Sequence, residues 1–186
     1  MRIISGEARG RRLFAPTGED TRPTADKVRE SLFNIIGARV YDANVLDLFG
    51  GTGAMALEAL SRGAAYAVIA DCARSAIQAI ERNAQNVLKD ELSQRARIMR
   101  ADYRTAIDSL TGMKFDLVFL DPPYRMIEAY GVAIERLKAR DALSEDCLIV
   151  VERLRERPVL IPQGFESCDT RHYGATSVEL VREAAR

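Results

Sequence analysis

The chain is 186 residues long, 47% hydrophobic and 29% charged, and its 27 basic and 27 acidic side chains leave no formal net charge. This length and apolar fraction predict one globular domain with a substantial core and exclude a disordered chain. No apolar run approaches the roughly 18 residues of a membrane span, and the charged start leaves no room for a signal peptide. We therefore expect a cytoplasmic protein.

Cysteine and histidine are sparse. Cys72, Cys147 and Cys168 are widely separated, and with the single His172 they do not form a zinc-site spacing. We expect reduced thiols, no metal and a structural role for His172.

Positive charge is concentrated at the start of the chain. Residues 1–29 contain seven basic and four acidic side chains, which leaves +3 there and −3 in the rest. We predict an extended basic segment over residues 1–23, with a turn at 17–20, in front of one domain over 24–186. Arginine suits phosphate recognition, so this segment is the candidate for binding a nucleic-acid backbone. Its candidate residues are Arg9, Arg11, Arg12, Arg22, Lys27 and Arg29.

The first helix is predicted to begin at Thr24, whose hydroxyl suits an N-cap. Val28, Leu32, Ile35 and Ile36 then fall on one face. After this helix, strands alternate with helices. The predicted strands are 44–49, 66–71, 96–101, 115–121 and 147–152, and the predicted helices are 53–63, 74–88, 103–111 and 127–140. This alternation indicates an α/β fold with a parallel, doubly wound sheet. Residues 165–173 and 177–182 predict a closing antiparallel hairpin.

A glycine loop follows the first strand. Gly51-x-Gly53-x-x-Ala56 matches a dinucleotide-binding fingerprint, although a tight strand-to-helix turn has the same pattern. Asp47 lies four residues before Gly51, where its carboxylate would repel a pyrophosphate. S-adenosylmethionine has no phosphate and carries two cationic groups, so the loop favours this cofactor over a nicotinamide.

Two more acidic residues end the next two strands. Asp71 and Asp102 should meet Asp47 at one crevice, because the carboxyl ends of parallel strands share one edge of the sheet. We predict that Asp47 faces the methionine end of the cofactor, that Asp71 binds the ribose hydroxyls and that Asp102 accepts from the adenine amino group. Phe49 and Tyr103 complete the predicted cofactor site. A helix N-cap is the competing explanation for each aspartate.

The fourth strand ends in Asp121-Pro122-Pro123-Tyr124. Prolines end strands, so a simple terminator is the plain alternative. The functional interpretation is chemical: hydrogen bonds from a nucleobase amino group to the Asp121 carboxylate and the Pro122 carbonyl free the nitrogen lone pair for attack. Pro123 helps to fix the backbone, and Tyr124 offers a face on which a base can stack.

These segments together resemble the bacterial 16S ribosomal RNA (guanine-N2) methyltransferases of the RsmD type. The resemblance covers nearly the whole chain, from Arg2-Ile-Ile-Ser-Gly through Arg22–Asn34, Leu57–Ala64 and Asp121–Tyr124 to Tyr173-Gly174. It implies a class I S-adenosylmethionine-dependent methyltransferase, Rossmann-like, with a short N-terminal extension. It also implies a guanine substrate in 16S ribosomal RNA of the small subunit, and we expect a monomer.

Three other functions remain open. One is an amino-methyltransferase with another substrate, such as DNA adenine or cytosine, 23S ribosomal RNA or protein glutamine. The second is a nicotinamide oxidoreductase, which Asp47 disfavours. The third is a non-catalytic RNA-binding module, which would not need Asp121.

Overall fold

The computed structural model describes residues 1–16 and 26–185. The strands in these residues are β1 (Asn44–Asp47), β2 (Tyr66–Asp71), β3 (Ala96–Arg100), β4 (Phe115–Leu120), β5 (Leu143–Leu154), β6 (Phe165–Tyr173) and β7 (Thr176–Glu183). The helices are α1 (Asp26–Ile36), α2 (Ala54–Ser61), α3 (Arg74–Leu88), α4 (Leu92–Arg95), α5 (Tyr103–Asp108) and α6 (Glu128–Ala139), with 3₁₀ turns at Gly37–Val40 and Lys89–Glu91.

The strands form one sheet in the order β3-β2-β1-β4-β5-β7-β6. Strands β1 to β5 run parallel, whereas β7 is antiparallel to both β5 and β6. The predicted doubly wound sheet with a closing antiparallel hairpin is therefore confirmed. Strand β5 is longer than predicted at both ends, because Leu143 pairs with Phe115 of β4 and Leu154 pairs with Thr176 of β7, both beyond the apolar run visible in the sequence. The short helix α4 has no counterpart in the prediction.

Successive side chains of the central strands pack in two separate cores. In β4, Leu117 and Phe119 pack in a core with α1, α2 and α3, whereas Val118 and Leu120 pack in a core with α5 and α6. This alternation follows from the two-residue period of a strand, and it explains why the buried part of β4, residues 117–120, is apolar on both faces.

The N-terminal segment is a hairpin that packs on the main core. An isolated antiparallel bridge joins Arg2 to Arg12, and Ile3, Ala8 and Leu13 are buried in the core shared with α1 to α3. The predicted turn at 17–20 and the Thr24 N-cap lie outside the described residues.

The hairpin is fastened to the end of α2. The amides of Ile4 and Ser5 donate to the Glu58 carboxylate at 2.8 and 3.0 Å, and the Ala8 amide donates to Ser61 Oγ at 3.0 Å. Gly6 has a positive φ of 84°, and a Cβ there would lie 1.7 Å from the Ser61 carbonyl oxygen. Only glycine allows this close approach.

Candidate active site

A cavity of about 770 Å³ opens at the carboxyl ends of the parallel strands. This volume lies within the range of small-molecule sites. Its predicted lining residues are Asp47, Phe49, Gly51, Asp71, Asp102, Tyr103, Asp121, Pro122, Pro123 and Tyr124. The structure thus brings together segments that are up to 77 positions apart, from Asp47 to Tyr124.

The glycine loop turns sharply from β1 into α2. Gly51 and Gly53 have positive φ values of 55° and 75°, which a side chain would strain. Gly53 is buried behind the turn and is not among the residues lining the cavity. Its role is to shape the loop, where its amide donates to the Gly50 carbonyl at 2.6 Å.

Asp71 ends β2 beside this loop. Its carboxylate accepts hydrogen bonds from the amides of Gly51 and Ala73, both at 2.9 Å. Each carboxylate oxygen can accept two hydrogen bonds, so both retain acceptor capacity toward the cavity. Asp71 therefore fixes the loop in addition to lining the site.

Asp102 is the N-cap of α5, the alternative that the sequence left open. It accepts from the Arg104 amide at 2.9 Å, the Thr105 amide at 3.2 Å and the Thr105 hydroxyl at 2.7 Å. The Thr105 hydroxyl bond, together with these amides, lowers the pKa of Asp102. The residue is an exposed carboxylate at the rim of the cavity, so the cap and a ligand contact are compatible.

Asp47 is almost completely buried at the end of β1. Burial, with a smaller contribution from the negative charge of Asp71, raises the pKa of Asp47 to about 7, although the amides of Phe49 and Ala56 oppose the shift. A buried carboxylate of this kind is stabilised by a cationic ligand group.

An aromatic wall closes the cavity near α5. The rings of Phe49 and Tyr103 lie 5.4 Å apart between centroids, at 38° to each other. The Tyr103 hydroxyl is buried, and no hydrogen-bond partner for it occurs among residues 1–16 and 26–185. Such a buried hydroxyl beside a cavity favours a ligand that can form a hydrogen bond with it.

Asp121 begins the loop that follows β4. Its side chain is exposed to the cavity. Desolvation by the surrounding protein atoms, together with the negative charges of Glu152 and Asp47, raises the pKa of Asp121 well above its ordinary value. Pro122 is buried, and the Met126 amide donates to the Pro123 carbonyl at 2.7 Å, which turns the chain and presents Tyr124 to the cavity.

Several residues that line the cavity were not predicted from the sequence. Glu152 is one of them, although it ends the predicted fifth strand as Asp47, Asp71 and Asp121 end or follow theirs. Tyr173 lines the cavity from the closing hairpin, and its hydroxyl lies 2.7 Å from Ser31 Oγ on α1. Met1 and Arg125 also line the cavity, and no sequence pattern indicated their position. Val28 and Leu32 line it from the apolar face predicted for the first helix.

The predicted nucleic-acid-binding residues lie in different environments in the structure. Arg29 is wrong as an RNA contact, because its side chain is completely buried. It donates to the Arg2 carbonyl and to Asp26 Oδ1, and its Nε lies 3.7 Å from Glu58 Oε2. The amphipathic spacing of α1 did not predict this burial, because it results from the packing of Arg29 against Glu58 of α2.

The other basic candidates lie nearer the surface. Arg11 is half-buried and donates to the carbonyls of Asn86 and Val87, which caps the end of α3. Arg9, Arg12 and Lys27 are exposed. Arg22 lies outside the described residues.

His172 lies away from the cavity lining, and its Nδ1 is 2.8 Å from Ser177 Oγ in the closing hairpin. In the part of the chain that the structure describes, no helix is long and apolar enough to cross a membrane. Over the same residues, no group of three histidine, cysteine or acidic side chains is arranged to hold a metal ion.

Comparisons with known proteins show which family the chain matches. Residues 1–182 match the family model described as "Conserved hypothetical protein 95". The chain is 39% identical over 188 residues to the "Putative rRNA methyltransferase YlbH" of Bacillus subtilis (strain 168), covering 98% of this chain and 99% of that protein. It is 36% identical over 154 residues to the "Ribosomal RNA small subunit methyltransferase D" of Escherichia coli (strain K12), covering 82% of this chain and 74% of that protein.

Solved structures share the fold. The protein yhhF from Escherichia coli superimposes with a TM-score of 0.86 at 31% identity, covering 100% of this chain and 99% of that one. SMU.776, whose structure is complexed with SAH, superimposes with a TM-score of 0.61 at 16% identity, covering 83% of this chain and 48% of that one. At that identity the second match shows the fold alone.

Proposed function

This chain belongs to the Conserved hypothetical protein 95 family, of RsmD-type methyltransferases, and on that premise we propose that it methylates the N2 amino group of a guanine in 16S ribosomal RNA. The methyl donor is S-adenosylmethionine, and the substrate is the RNA of the small ribosomal subunit. The observation that carries the proposal is the placement of Asp121–Tyr124 in the same cavity as the glycine loop and the buried Asp47.

The residues at the glycine-loop end fit S-adenosylmethionine. Its ammonium and sulfonium groups suit the buried carboxylate of Asp47, and its ribose hydroxyls suit the remaining acceptor capacity of Asp71. Phe49 and Tyr103 offer the apolar wall that an adenine needs, with Asp102 at the rim for its amino group. When bound, the cofactor supplies an electrophilic methyl group.

The residues at the other end fit an amino substrate. The lone pair of a nucleobase amino group is delocalised into the ring, which makes the nitrogen a poor nucleophile. Hydrogen bonds from this group to the Asp121 carboxylate and the Pro122 carbonyl favour a pyramidal nitrogen. Tyr124 stacks on the base and holds it in line, and alignment of this kind can supply roughly 7–11 kcal/mol of a barrier.

Asp121 is also placed to take the proton that the amino group loses after attack. Its raised pKa makes the carboxylate a better proton acceptor than an exposed aspartate. No stronger base is needed, because the nitrogen becomes acidic only once it has been alkylated. The lone histidine has no part in the reaction.

The test is transfer of a labelled methyl group from S-adenosylmethionine to unmodified small subunits, naked 16S RNA, 23S RNA, DNA and protein. Digestion to nucleosides and mass spectrometry then identify the product. We expect N2-methylguanosine from small-subunit RNA, formed on the order of 10²-fold or more slowly by the Asp121→Ala variant. Label in DNA or protein but not in RNA would overturn the proposed substrate, and label in no substrate would overturn the proposed activity.

A further inference from the structure

We propose that Glu152 reads the Watson–Crick edge of the target guanine by accepting a hydrogen bond from N1–H, while Asp121 accepts from the N2 amino group. The inference rests on the proposed function and assigns its base specificity to one residue. It is carried by the strand register, the cavity lining and the hydrogen-bonding chemistry of guanine.

The register of the sheet places these two carboxylates side by side. Leu120 on β4 is the partner of Val151 on parallel β5, so Asp121 and Glu152 are the next residues of neighbouring strands. Neighbouring strands lie about 4.8 Å apart.

Both side chains also lie on the same face of the sheet. They come two residues after Phe119 and Val150, which pack in the core shared with α1 to α3 and line the cavity. Asp121 and Glu152 themselves line the cavity. The contribution of Glu152 to the raised pKa of Asp121 is consistent with two carboxylates that face each other.

The backbone of Glu152 is held firmly. The residue pairs with Val178 on β7, and its carbonyl accepts a hydrogen bond from the Tyr130 hydroxyl at 2.6 Å. A side chain that projects from a strand fixed on both sides is well suited to precise recognition.

Glu152 belongs to the substrate end of the cavity. The candidate ribose ligand Asp71 ends β2, and strands β1 and β4 separate β2 from β5. Three strand spacings correspond to about 14 Å. Glu152 is therefore far from the predicted adenosine site and next to the proposed catalytic loop.

Guanine matches two adjacent carboxylates better than any other base does. It presents two neighbouring donor groups, N1–H and N2–H₂, and an ionised carboxylate is an acceptor only. Adenine and cytosine place a ring-nitrogen lone pair beside their amino group, and that lone pair would face the Glu152 carboxylate. Charge-assisted hydrogen bonds to the two guanine donors are among the stronger ones available to a protein.

The experiment replaces the methylated guanine with 2-aminopurine, which keeps the N2 amino group but has an unprotonated N1. The RNA is assembled by ligation with a synthetic segment and reconstituted into small subunits. We expect the wild-type kcat/KM to be roughly 10–100-fold lower for 2-aminopurine, as for the removal of one hydrogen bond to a charged group.

The isosteric variant Glu152→Gln isolates the residue. The Gln amide can accept from N1–H of guanine or donate to N1 of 2-aminopurine. We therefore expect the kcat/KM of this variant for guanine to lie within about threefold of its kcat/KM for 2-aminopurine. Its affinity for S-adenosylmethionine should equal that of the wild type by calorimetry. Glu128→Gln, at an exposed glutamate outside the cavity lining, is the matched control and should keep the wild-type preference.

The outcomes separate the two proposals. If the wild-type protein methylates guanine and 2-aminopurine equally well, Glu152 does not read N1, although the methyltransferase function stands. If it discriminates but Glu152→Gln keeps the full preference, another group reads N1 and the inference is overturned. If it methylates no RNA at all, the proposed function fails, and the inference fails with it.

Discussion

At the scale of single residues, two acids of the candidate site have a structural role and also line the cavity. Asp102 caps α5, and Asp71 joins the glycine loop to the start of α3, yet both line the cavity. This combination is possible because a carboxylate has about four acceptor positions and its backbone partners occupy only some of them. An N-cap and a ligand contact are therefore not competing explanations for such residues.

The first prediction concerns the cofactor. Asp71→Ala should weaken binding of S-adenosylmethionine by about 1.5–3 kcal/mol, the range for hydrogen bonds to a charged group. Asp71→Asn is the matched variant, because its amide oxygen can still accept from a backbone amide. Calorimetric titration measures both, and unchanged affinity in Asp71→Ala would remove this residue from the cofactor site.

The second prediction separates chemistry from binding. Asp121→Ala should keep cofactor affinity within a few-fold and reduce the single-turnover rate by on the order of 10²-fold or more, because its hydrogen bond strengthens as the nitrogen pyramidalises. Tyr124→Phe keeps the stacking face and should retain most of the rate. A wild-type rate in Asp121→Ala would contradict its role in activating the amino group.

The third prediction follows from the pKa of about 7 for the buried Asp47. Below this pH the carboxyl of the empty cavity is neutral, whereas a bound cation favours the carboxylate, so binding must release a proton there. Affinity for S-adenosylmethionine should therefore fall as pH falls through 7, by at most tenfold per pH unit for one group, and level off above it.

Titrations at several pH values, in buffers with different ionisation enthalpies, measure both the affinity and the proton release. Asp71 and Asp121 face the same cavity, so Asp47→Asn serves to isolate the contribution of Asp47. Asp47→Asn should bind S-adenosylmethionine more weakly than the wild type at pH 8, and its affinity should change less with pH. The same slope in both proteins would assign the titration to another group.

At the scale of elements, the N-terminal hairpin and α1 are held to α2 by a buried charge network. Glu58 accepts from two hairpin amides and from Arg62 Nε at 2.7 Å, and it pairs with the buried Arg29. Three segments that carry the family resemblance thus meet around one glutamate. The resemblance in these segments marks a structural junction as well as a candidate RNA-binding surface.

The fourth prediction tests this junction. Glu58→Gln should lower the free energy of unfolding by up to about 3–5 kcal/mol, because it removes the buried counter-ion of Arg29 and leaves only the half-exposed Asp26 paired with it. Lys114→Gln removes an ion pair of 2.9 Å on the surface and should change stability by less than about 1 kcal/mol. Urea unfolding measures both, and equal effects would mean that the buried network contributes no more than a surface pair.

At the scale of the whole molecule, the charge is unevenly distributed along the chain although the net charge is zero. The hairpin turn that carries Arg9 contacts Ser61 at the end of α2, about 12 Å along that helix from the glycine loop. An RNA bound there would extend from the cavity across the face covered by α2 and α3. An unstacked guanine would then reach Tyr124 while its flanking backbone contacts the hairpin.

The fifth prediction concerns this surface. Arg9→Gln with Arg12→Gln should raise the KM for RNA and reduce the log–log salt slope by roughly 0.7 for each phosphate that the hairpin no longer neutralises, without changing cofactor affinity. The matched control is Arg136→Gln with Arg140→Gln, which removes the same charge at the C-terminal end of α6, on the other layer of the molecule. Equal effects of the two pairs would indicate that net charge, and not the hairpin, sets RNA affinity.

The sequence by itself determined the fold and most of the site, because both depend on local patterns. Apolar strands alternating with amphipathic helices predict the parallel sheet, and the carboxyl ends of its strands must share one edge. Asp47, Asp71, Asp102 and Asp121 therefore met at one cavity, as expected.

Only the tertiary structure decided the burial of Arg29, the capping role of Arg11 and the position of Glu152 beside Asp121. Each of these depends on which elements become neighbours in space. Local sequence does not encode the register of β4 against β5 or the face on which α1 packs. Both depend on packing across the whole core, because long-range contacts determine whether each charged side chain is buried or exposed.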